Sequence, residues 1–227
     1  MNIEGNLVIP DNPIGIVVFV HGSGSTKNSQ RNQIVSEKLN NSHIATLLFD
    51  LLSPEEQTFD TKCLNMKDKV PGMILNKFNI LLLTKRLAMV TEWVGSNPST
   101  EKLRVGYFAS STGAAAALIS ASRYHIASIV IRSGRTDLVE NTFLDKIESP
   151  CLFLIGSKEK DLLKISSGTM RKMRNSKEKK LHIVEGASHL FEEQGAMGEI
   201  SDVATRWMAQ NFMQVSNLGD KTSNKRQ

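Results

Sequence analysis

Four short segments carry the residue types that can do chemistry: HGSGST (21–26), SSTG (110–113), GSKEKD (156–161) and EGASHLF (185–191). Together they offer hydroxyls, an imidazole and carboxylates. Those are the groups that nucleophilic attack on a carbonyl needs, namely an attacking oxygen, a base to take its proton and an acid to orient the base. A serine hydroxyl is a weak nucleophile at its own pKa, so the set is useful only if the folded chain brings the base to it. Each segment follows an apolar run: GIVVFV (15–20), RVGYFA (104–109), CLFLIG (151–156) and KLHIV (180–184). In an open parallel sheet, ligands bind beyond the carboxyl ends of the strands, where segments so placed would meet.

The stretch Ala109-Ser110-Ser111-Thr112-Gly113 has the form of a nucleophile elbow, G-x-S-x-G, with alanine in the first small position. Small residues are needed two before and two after the nucleophile, because the tight turn presses helix backbone against strand backbone. Centring the motif on Ser110 would put Phe108 and Thr112 at those positions, so the register selects Ser111. Alanines 114–117 then let the following helix lie close to the sheet. In the first loop the glycines of HGSG free the backbone to aim an N–H at a developing oxyanion. The expected donors are the N–H groups of Ser23 and of Thr112, the residue after the nucleophile, with His21, Gly22 and Gly24 as neighbouring contacts for substrate. Two phosphate-binding readings of this loop fail on spacing. A Walker A loop requires glycine where Thr26 precedes Lys27, and a dinucleotide fingerprint requires its third glycine where Lys27 stands.

His189 lies in a glycine- and serine-containing loop after the last apolar run, while His43, His125 and His182 fall in connectors or within a strand pattern. Glu159 and Asp161 both follow CLFLIG, and on residue type either carboxylate serves to hold an imidazole in one tautomer. The order along the chain is nucleophile, acid, base.

The elements that must position these loops read as strands alternating with helices. Further apolar runs, ATLLFD (45–50) and SIVIRS (128–133), join the four above, and NLVIP (6–10) reads as an antiparallel edge strand stopped by Pro10. Helical patterns cover 29–41, 73–96, 112–124, 159–175 and 196–213. The second shows Phe78, Leu81, Leu82, Leu87, Val90 and Trp93 at helical spacing. This alternation predicts an α/β fold with a mostly parallel sheet of about seven strands covered by helices on both faces. The stretch after 133 is too short for a sizeable cap. Residues 1–214 are expected to form one domain, and the polar, aperiodic stretch 215–227 a flexible tail.

Composition narrows the function classes. The 227 residues are 40% hydrophobic and 22% charged, as in globular proteins. No apolar run reaches the roughly 18 residues of a membrane span, and the N-terminus lacks a signal-peptide pattern, so a cytoplasmic location and no membrane partner are expected. The net charge is +5 and the pI about 9.2. Nine Lys or Arg and three acids fall within 158–180. With no stacking aromatics or helix-turn-helix pattern beside it, this charge reads as a solvated helix face, and no nucleic-acid partner is expected. Cys63 and Cys151 form neither a disulfide framework nor a metal motif.

The ordered set LVIP, VVFVHGSGSTKNSQRNQIVSEKLN, IATLLFDLLSPEE, VGYFASSTGAAAAL, CLFLIGSKEKDLL and VEGASHLFEEQGAMGEI resembles the α/β-hydrolases of the dienelactone hydrolase type. Within that family it is most similar to the small, capless branch with a serine nucleophile in place of cysteine. The resemblance implies hydrolysis of carboxylic esters or lactones without metal or cofactor, Ser111 as nucleophile, His189 as base and Glu159 at the acid position, with Asp161 two residues late. An acyltransferase would use the same three residues, and a binding protein could keep the scaffold alone. SQRN (29–32) and RSGRTDL (132–138) also look like family features, so Arg31, Arg132 and Arg135 are candidates either to bind an anionic group on a small-molecule substrate or to cap loops structurally. The natural substrate and the oligomeric state are not legible.

Overall fold

The computed structural model describes residues 3–65 and 74–213; the expected tail lies outside them. Seven strands form one sheet: β1 (Gly5–Val8), β2 (Ile16–Val20), β3 (Ala45–Phe49), β4 (Val105–Ser110), β5 (Ser128–Arg132), β6 (Cys151–Gly156) and β7 (Lys179–Val184). Their order is β1-β3-β2-β4-β5-β6-β7, with β1 antiparallel to β3 and every other pairing parallel. Runs of Val, Ile, Leu and Phe favour the pleated conformation, and a sheet covered on both faces wants them unbroken by polar residues. Accordingly every residue of β2, β3, β5 and β6 is buried, whereas β7, at the sheet edge, is buried only at Val184.

Helices cover both faces. One core packs α3 (Ile80–Ser96) and α4 (Thr112–Ala121) on the sheet through Leu83, Leu87, Val94 and Ala114–Ala117. The other packs α1 (Gln30–Asn40) and α7 (Ala196–Met213) through Val35, Leu39, Ile200, Trp207 and Phe212. α6 (Lys160–Lys172) follows β6. Between β5 and β6 there is only a 3-10 turn, Thr136–Leu138, and the four-residue α5 (Asn141–Leu144), so no cap is inserted there.

Two expectations need correction. The helix expected over 73–96 begins at Ile80, where Asn79 caps it by accepting the Leu82 N–H at 3.1 Å, and Phe78 belongs to a separate 3-10 turn. Its buried stripe is Leu83, Leu87, Val90 and Val94, while Leu81 and Trp93 face outward at 70% and 45% exposure. Leu87 and Val90 of the expected stripe are buried, and packing against α4 adds Leu83 and Val94 to them in place of Leu81 and Trp93. A helix not expected, α2 (Pro54–Asn65), carries its own signal in Ser-Pro-Glu-Glu. Pro54 occupies the first helical position, the Ser53 N–H donates to Glu56 Oε2 at 2.8 Å, and the Glu56 N–H donates to Ser53 Oγ at 3.3 Å. That reciprocal pair is a capping box.

Chain order reverses between β2 and β4: from β2 the chain adds β3 on one side, and from β4 it adds β5, β6 and β7 on the other. Loops leaving the carboxyl ends of β2 and β4 therefore diverge and open a crevice. Across it the start of α4 lies against β2 so closely that a Cβ on Gly113 would sit 2.3 Å from the Val20 carbonyl oxygen and 2.5 Å from that of His21. Ala109, the small residue on the strand side, is fully buried in the same core as Val20, Ile131 and Ala114, so its methyl fits where glycine would leave space. Gly113→Ala should lower the free energy of unfolding in urea by about 1–3 kcal/mol, an overpacking cost. Gly95→Ala, within α3 and with open space around it, should be neutral or slightly stabilising.

Candidate active site

Ser111 ends the strand side of the elbow as the N-cap of α4, with φ 48° and ψ −127°. A non-glycine residue there costs on the order of 1–3 kcal/mol and persists only when its surroundings hold it. Here its carbonyl accepts the Ala114 N–H at 3.1 Å and the Arg135 N–H at 3.0 Å, tying the turn to α4 and to the loop after β5. The first loop closes from the other side: a Cβ on Gly22 would lie 2.5 Å from Ser111 Cβ. Glycine at 22 is thus a requirement of the approach between the two loops.

His21 is held in place from both ring nitrogens. Its Nδ1–H donates to the Gly22 carbonyl at 3.0 Å and its Nε2 accepts the Leu51 N–H at 3.0 Å. That pattern defines the neutral tautomer, and burial pushes its pKa down despite Asp50 nearby. With both nitrogens used, His21 fixes the first loop to the end of β3 and has no free nitrogen for the substrate contact expected of it.

Of the two expected oxyanion donors, one is tied to the side chain of the other's residue. The Ser23 N–H donates to Thr112 Oγ1 at 3.1 Å, so it is not free. An oxyanion between these residues would either displace the hydroxyl from that N–H or take the hydroxyl's own proton, since Thr112 Oγ1 keeps one proton to give while accepting from Ser23. A cavity of about 170 Å³ runs from this loop toward α2, walled by His21 to Thr26, Leu51, Leu52, Leu64 and Leu83; Ser111, Glu159 and His189 are not among its walls.

The other two loops are knitted together. The Lys158 N–H donates to the Ala187 carbonyl at 3.1 Å, and a Cβ on Gly156 would lie 2.3 Å from that same oxygen. This brings Glu159 and His189 together: Glu159 Oε2 stands 3.0 Å from His189 Nδ1. The carboxylate can only accept, so Nδ1 carries the proton and Nε2 is left as the basic nitrogen. Asp161, the alternative, is exposed in the first turn of α6 and makes no hydrogen bond to His189. Among the described residues Ser111 Oγ makes no hydrogen bond to His189, whose side chain is 42% exposed. Such bonds are often long before substrate arrives.

Two residues that shape the base loop were not anticipated. Phe191 is wholly buried at φ 56°, anchoring the loop in the core shared with α1 and α7. Glu193 accepts the Ser188 N–H on both carboxylate oxygens, at 3.0 and 3.1 Å, and the Lys158 ammonium at 3.2 Å. It therefore clamps the base loop to the acid loop. The sequence EE at 192–193 offers no signal of this, because a carboxylate's partners come from the fold.

The three arginines part company. Arg135 pairs bidentately with Asp137 at 2.8 Å on both oxygens, so its guanidinium is occupied as an exposed loop tie. Arg31 reaches Glu192 at 3.2 Å, and Arg132 is buried at the end of β5.

A dienelactone hydrolase from Anabaena variabilis, solved by crystallography, is 38% identical and superposes with a TM-score of 0.83 over 92% of this chain and 91% of its own. The chain belongs to the dienelactone hydrolase family. Esterase Est1E from Butyrivibrio proteoclasticus (14% identity, TM-score 0.70, covering 93% and 96%) shares the α/β-hydrolase fold. So does a lidless α/β serine hydrolase from Xanthomonas campestris (11% identity, TM-score 0.68, covering 92% and 88%). Two curated Mycobacterium tuberculosis proteins, provisionally named phosphoribosyl transferases, are 39% identical over 207 residues. Those residues are 90% of this chain but 43% of each relative, so the chain spans less than half their length. No family model matches. Among the described residues, no helix is long and apolar enough to cross a membrane, and no three His, Cys, Asp or Glu gather as a metal site would need.

The Glu193 clamp on this family member's base loop is sensitive to acid. The hydrogen bonds from Ser188, with the Lys158 contact, hold the Glu193 carboxyl at about 2, below its ordinary 4.5. A lowered carboxylate pKa stabilises the fold above the unfolded value and loses that contribution as pH falls through the folded one. Hydrogen-exchange protection of the Ser188 amide should therefore fall as pH drops from about 4.5 toward 2, and Glu193→Gln should show the lowered protection at neutral pH.

Proposed function

We propose that the protein is a serine hydrolase of carboxylic esters or lactones working through an acyl-enzyme. The observation that carries this reading is the 3.0 Å contact between Glu159 and His189, on loops that leave the same carboxyl edge of the sheet as the turn that holds Ser111 at φ 48°. Ser111 Oγ attacks the carbonyl carbon while His189 Nε2 takes its proton. The imidazolium formed is stabilised by Glu159, which stays ionised. The tetrahedral oxyanion is met by the Thr112 N–H and, from the first loop, by the Ser23 N–H or the Thr112 hydroxyl now bonded to it. His189 returns the proton to the leaving alcohol. Water, deprotonated by the same nitrogen, then cleaves the acyl-serine. No step calls for a metal or cofactor. The cavity toward α2, with its leucines, offers room for a small apolar arm of the substrate.

Membership of the dienelactone hydrolase family supports the reaction class. The phosphoribosyl transferase name belongs to proteins more than twice this length and is not carried over. Acyl transfer would use the same three residues, and it is separated from hydrolysis by offering an alcohol acceptor and measuring the transfer product.

Ser111→Ala should lower hydrolysis of 4-nitrophenyl esters by roughly 10³ to 10⁶ fold and abolish labelling by a fluorophosphonate. A variant with near-normal kcat overturns the assignment, and a folded wild type that takes no label at Ser111 favours a binding protein. Glu159→Gln and Asp161→Asn, measured side by side, should differ. The first is expected to reduce kcat by about 10² to 10⁴ fold, as loss of an orienting acid does, and the second to change it little. The reverse order would move the acid role to Asp161.

A further inference from the structure

The two edges of the sheet are built differently. β7 closes one of them with Lys179, Lys180 and His182, the last paired with Glu199 at 2.7 Å, and charge of this kind keeps an edge from pairing with another strand. β1 forms the other with Gly-Asn-Leu-Val, which carries no charge and is exposed at Gly5, Asn6 and Val8. Its outward backbone groups follow from the pairing with β3. The Glu4 carbonyl accepts the Asp50 N–H at 3.1 Å, and groups alternate along an antiparallel strand, so Asn6 and Val8 face β3 while Gly5 and Leu7 present N–H and C=O outward. Among the described residues nothing pairs with them.

Beside that edge lies an apolar groove of about 420 Å³ between β1 and α3, walled by Leu7, Leu47, Phe49, Met89, Val90 and Trp93. Met89 and Trp93 are 51% and 45% exposed, and Val8 and Ile9, at the end of the strand, 47% and 38%. Together these side chains leave on the order of 350 Å² of apolar surface in water. A stable interface covers about 800 Å² of each partner, a little over half of it apolar, so this patch supplies most of the apolar share that one needs. The occupant must bring an unpaired strand for Gly5 and Leu7 together with an apolar face for Trp93. A second copy of this chain has both.

We propose that two copies of the chain join β1 to β1 across a two-fold axis through Asn6, making one continuous sheet. In that antiparallel register Gly5 of each copy pairs with Leu7 of the other, so the outward N–H and C=O groups of both are satisfied. Each Leu7 side chain lies over a glycine, with no Cβ to meet it, and the Asn6 side chains meet at the axis on the opposite face. The axis stands perpendicular to the sheet. Both grooves therefore open on the same face, with Met89 and Trp93 of each copy flanking the joint. Glu4 falls opposite Val8 and Asn6 opposite its own copy, so no like charges meet, which matters for a chain of net charge +5. With β1 consumed and β7 guarded, assembly closes at two copies. The dimer stands whether or not Ser111 is a nucleophile.

Sedimentation equilibrium of the full chain at about 100 μM should give about twice the 25.1 kDa of one copy. Asn6→Lys sets two ammonium groups against each other at the axis, and Trp93→Gln removes the largest apolar group of the patch. Each should weaken the dimer by about tenfold or more, while Lys180→Gln, on the other edge, should not. All three side chains are exposed, so the circular dichroism of each variant should match the wild type. Disulfide trapping reads the register. Asn6→Cys, oxidised with glutathione disulfide, should link to its own copy, whereas Val8→Cys and the wild type, with Cys63 and Cys151 alone, should not. A monomer at that concentration overturns the proposal. So does a monomer whose Gly5 and Leu7 amides resist hydrogen exchange, since a segment of the same chain would then cover the edge. A dimer untouched by Asn6→Lys and Trp93→Gln, or trapped at Val8→Cys and not at Asn6→Cys, overturns it as well.

Discussion

The site depends on one close approach, the start of α4 lying on the backbone of β2 with only the Cα of Gly113 between them. Because the helix comes that near, the chain leaving β4 must reverse within two residues, and Ser111 takes a backbone conformation that a side chain rarely adopts. The strain is held by bonds from both sides of the turn, from Ala114 and Arg135 to the Ser111 carbonyl. Gly22 completes the constraint by letting the first loop reach the Ser111 side chain. Two glycines and two hydrogen bonds thus hold the Ser111 turn at the sheet edge and bring the first loop against it.

The opposite half of the site is built on a different principle. There the loops after β6 and β7 are joined edge to edge, through Lys158 to Ala187 and through Glu193 to Ser188, and the carboxylate and imidazole simply ride on that joint. A serine in a tightly held turn is therefore combined with a histidine whose loop is held by hydrogen bonds, one of them charge-assisted, and whose ring is partly open to solvent. The electrostatics follow the same plan. Burial under the first loop lowers the pKa of His21 and keeps it neutral.

Much of this was legible in the residues. The seven strands lie within a residue or two of the apolar runs, since a strand covered on both faces must be apolar throughout. The elbow register was legible for a steric reason, that Phe108 cannot fit where Ala109 does. Other features had two readings. α3 carries apolar residues on more than one stripe, and only contact with α4 decided that Leu83 joins Leu87 inside and Leu81 faces outward. α2 was written in Ser53 and Glu56, a cap that has no apolar run to mark it, because the helix buries little besides Asp60.

By itself the sequence determined the alternation of strands and helices, the serine that can occupy the turn, and the order of the serine, carboxylate and histidine loops along the chain. Those rest on local sterics and on hydrophobic period, which act between residues near in the chain. The tertiary structure decided which carboxylate meets the imidazole, that Ser23 and Thr112 share a hydrogen bond, that His21 is spent on the scaffold, and that Arg135 has its own acid while Arg132 has none among the described residues. Each of these concerns the partner of a polar group. Such partners are set by which loops the sheet brings together, so residue type alone cannot assign them.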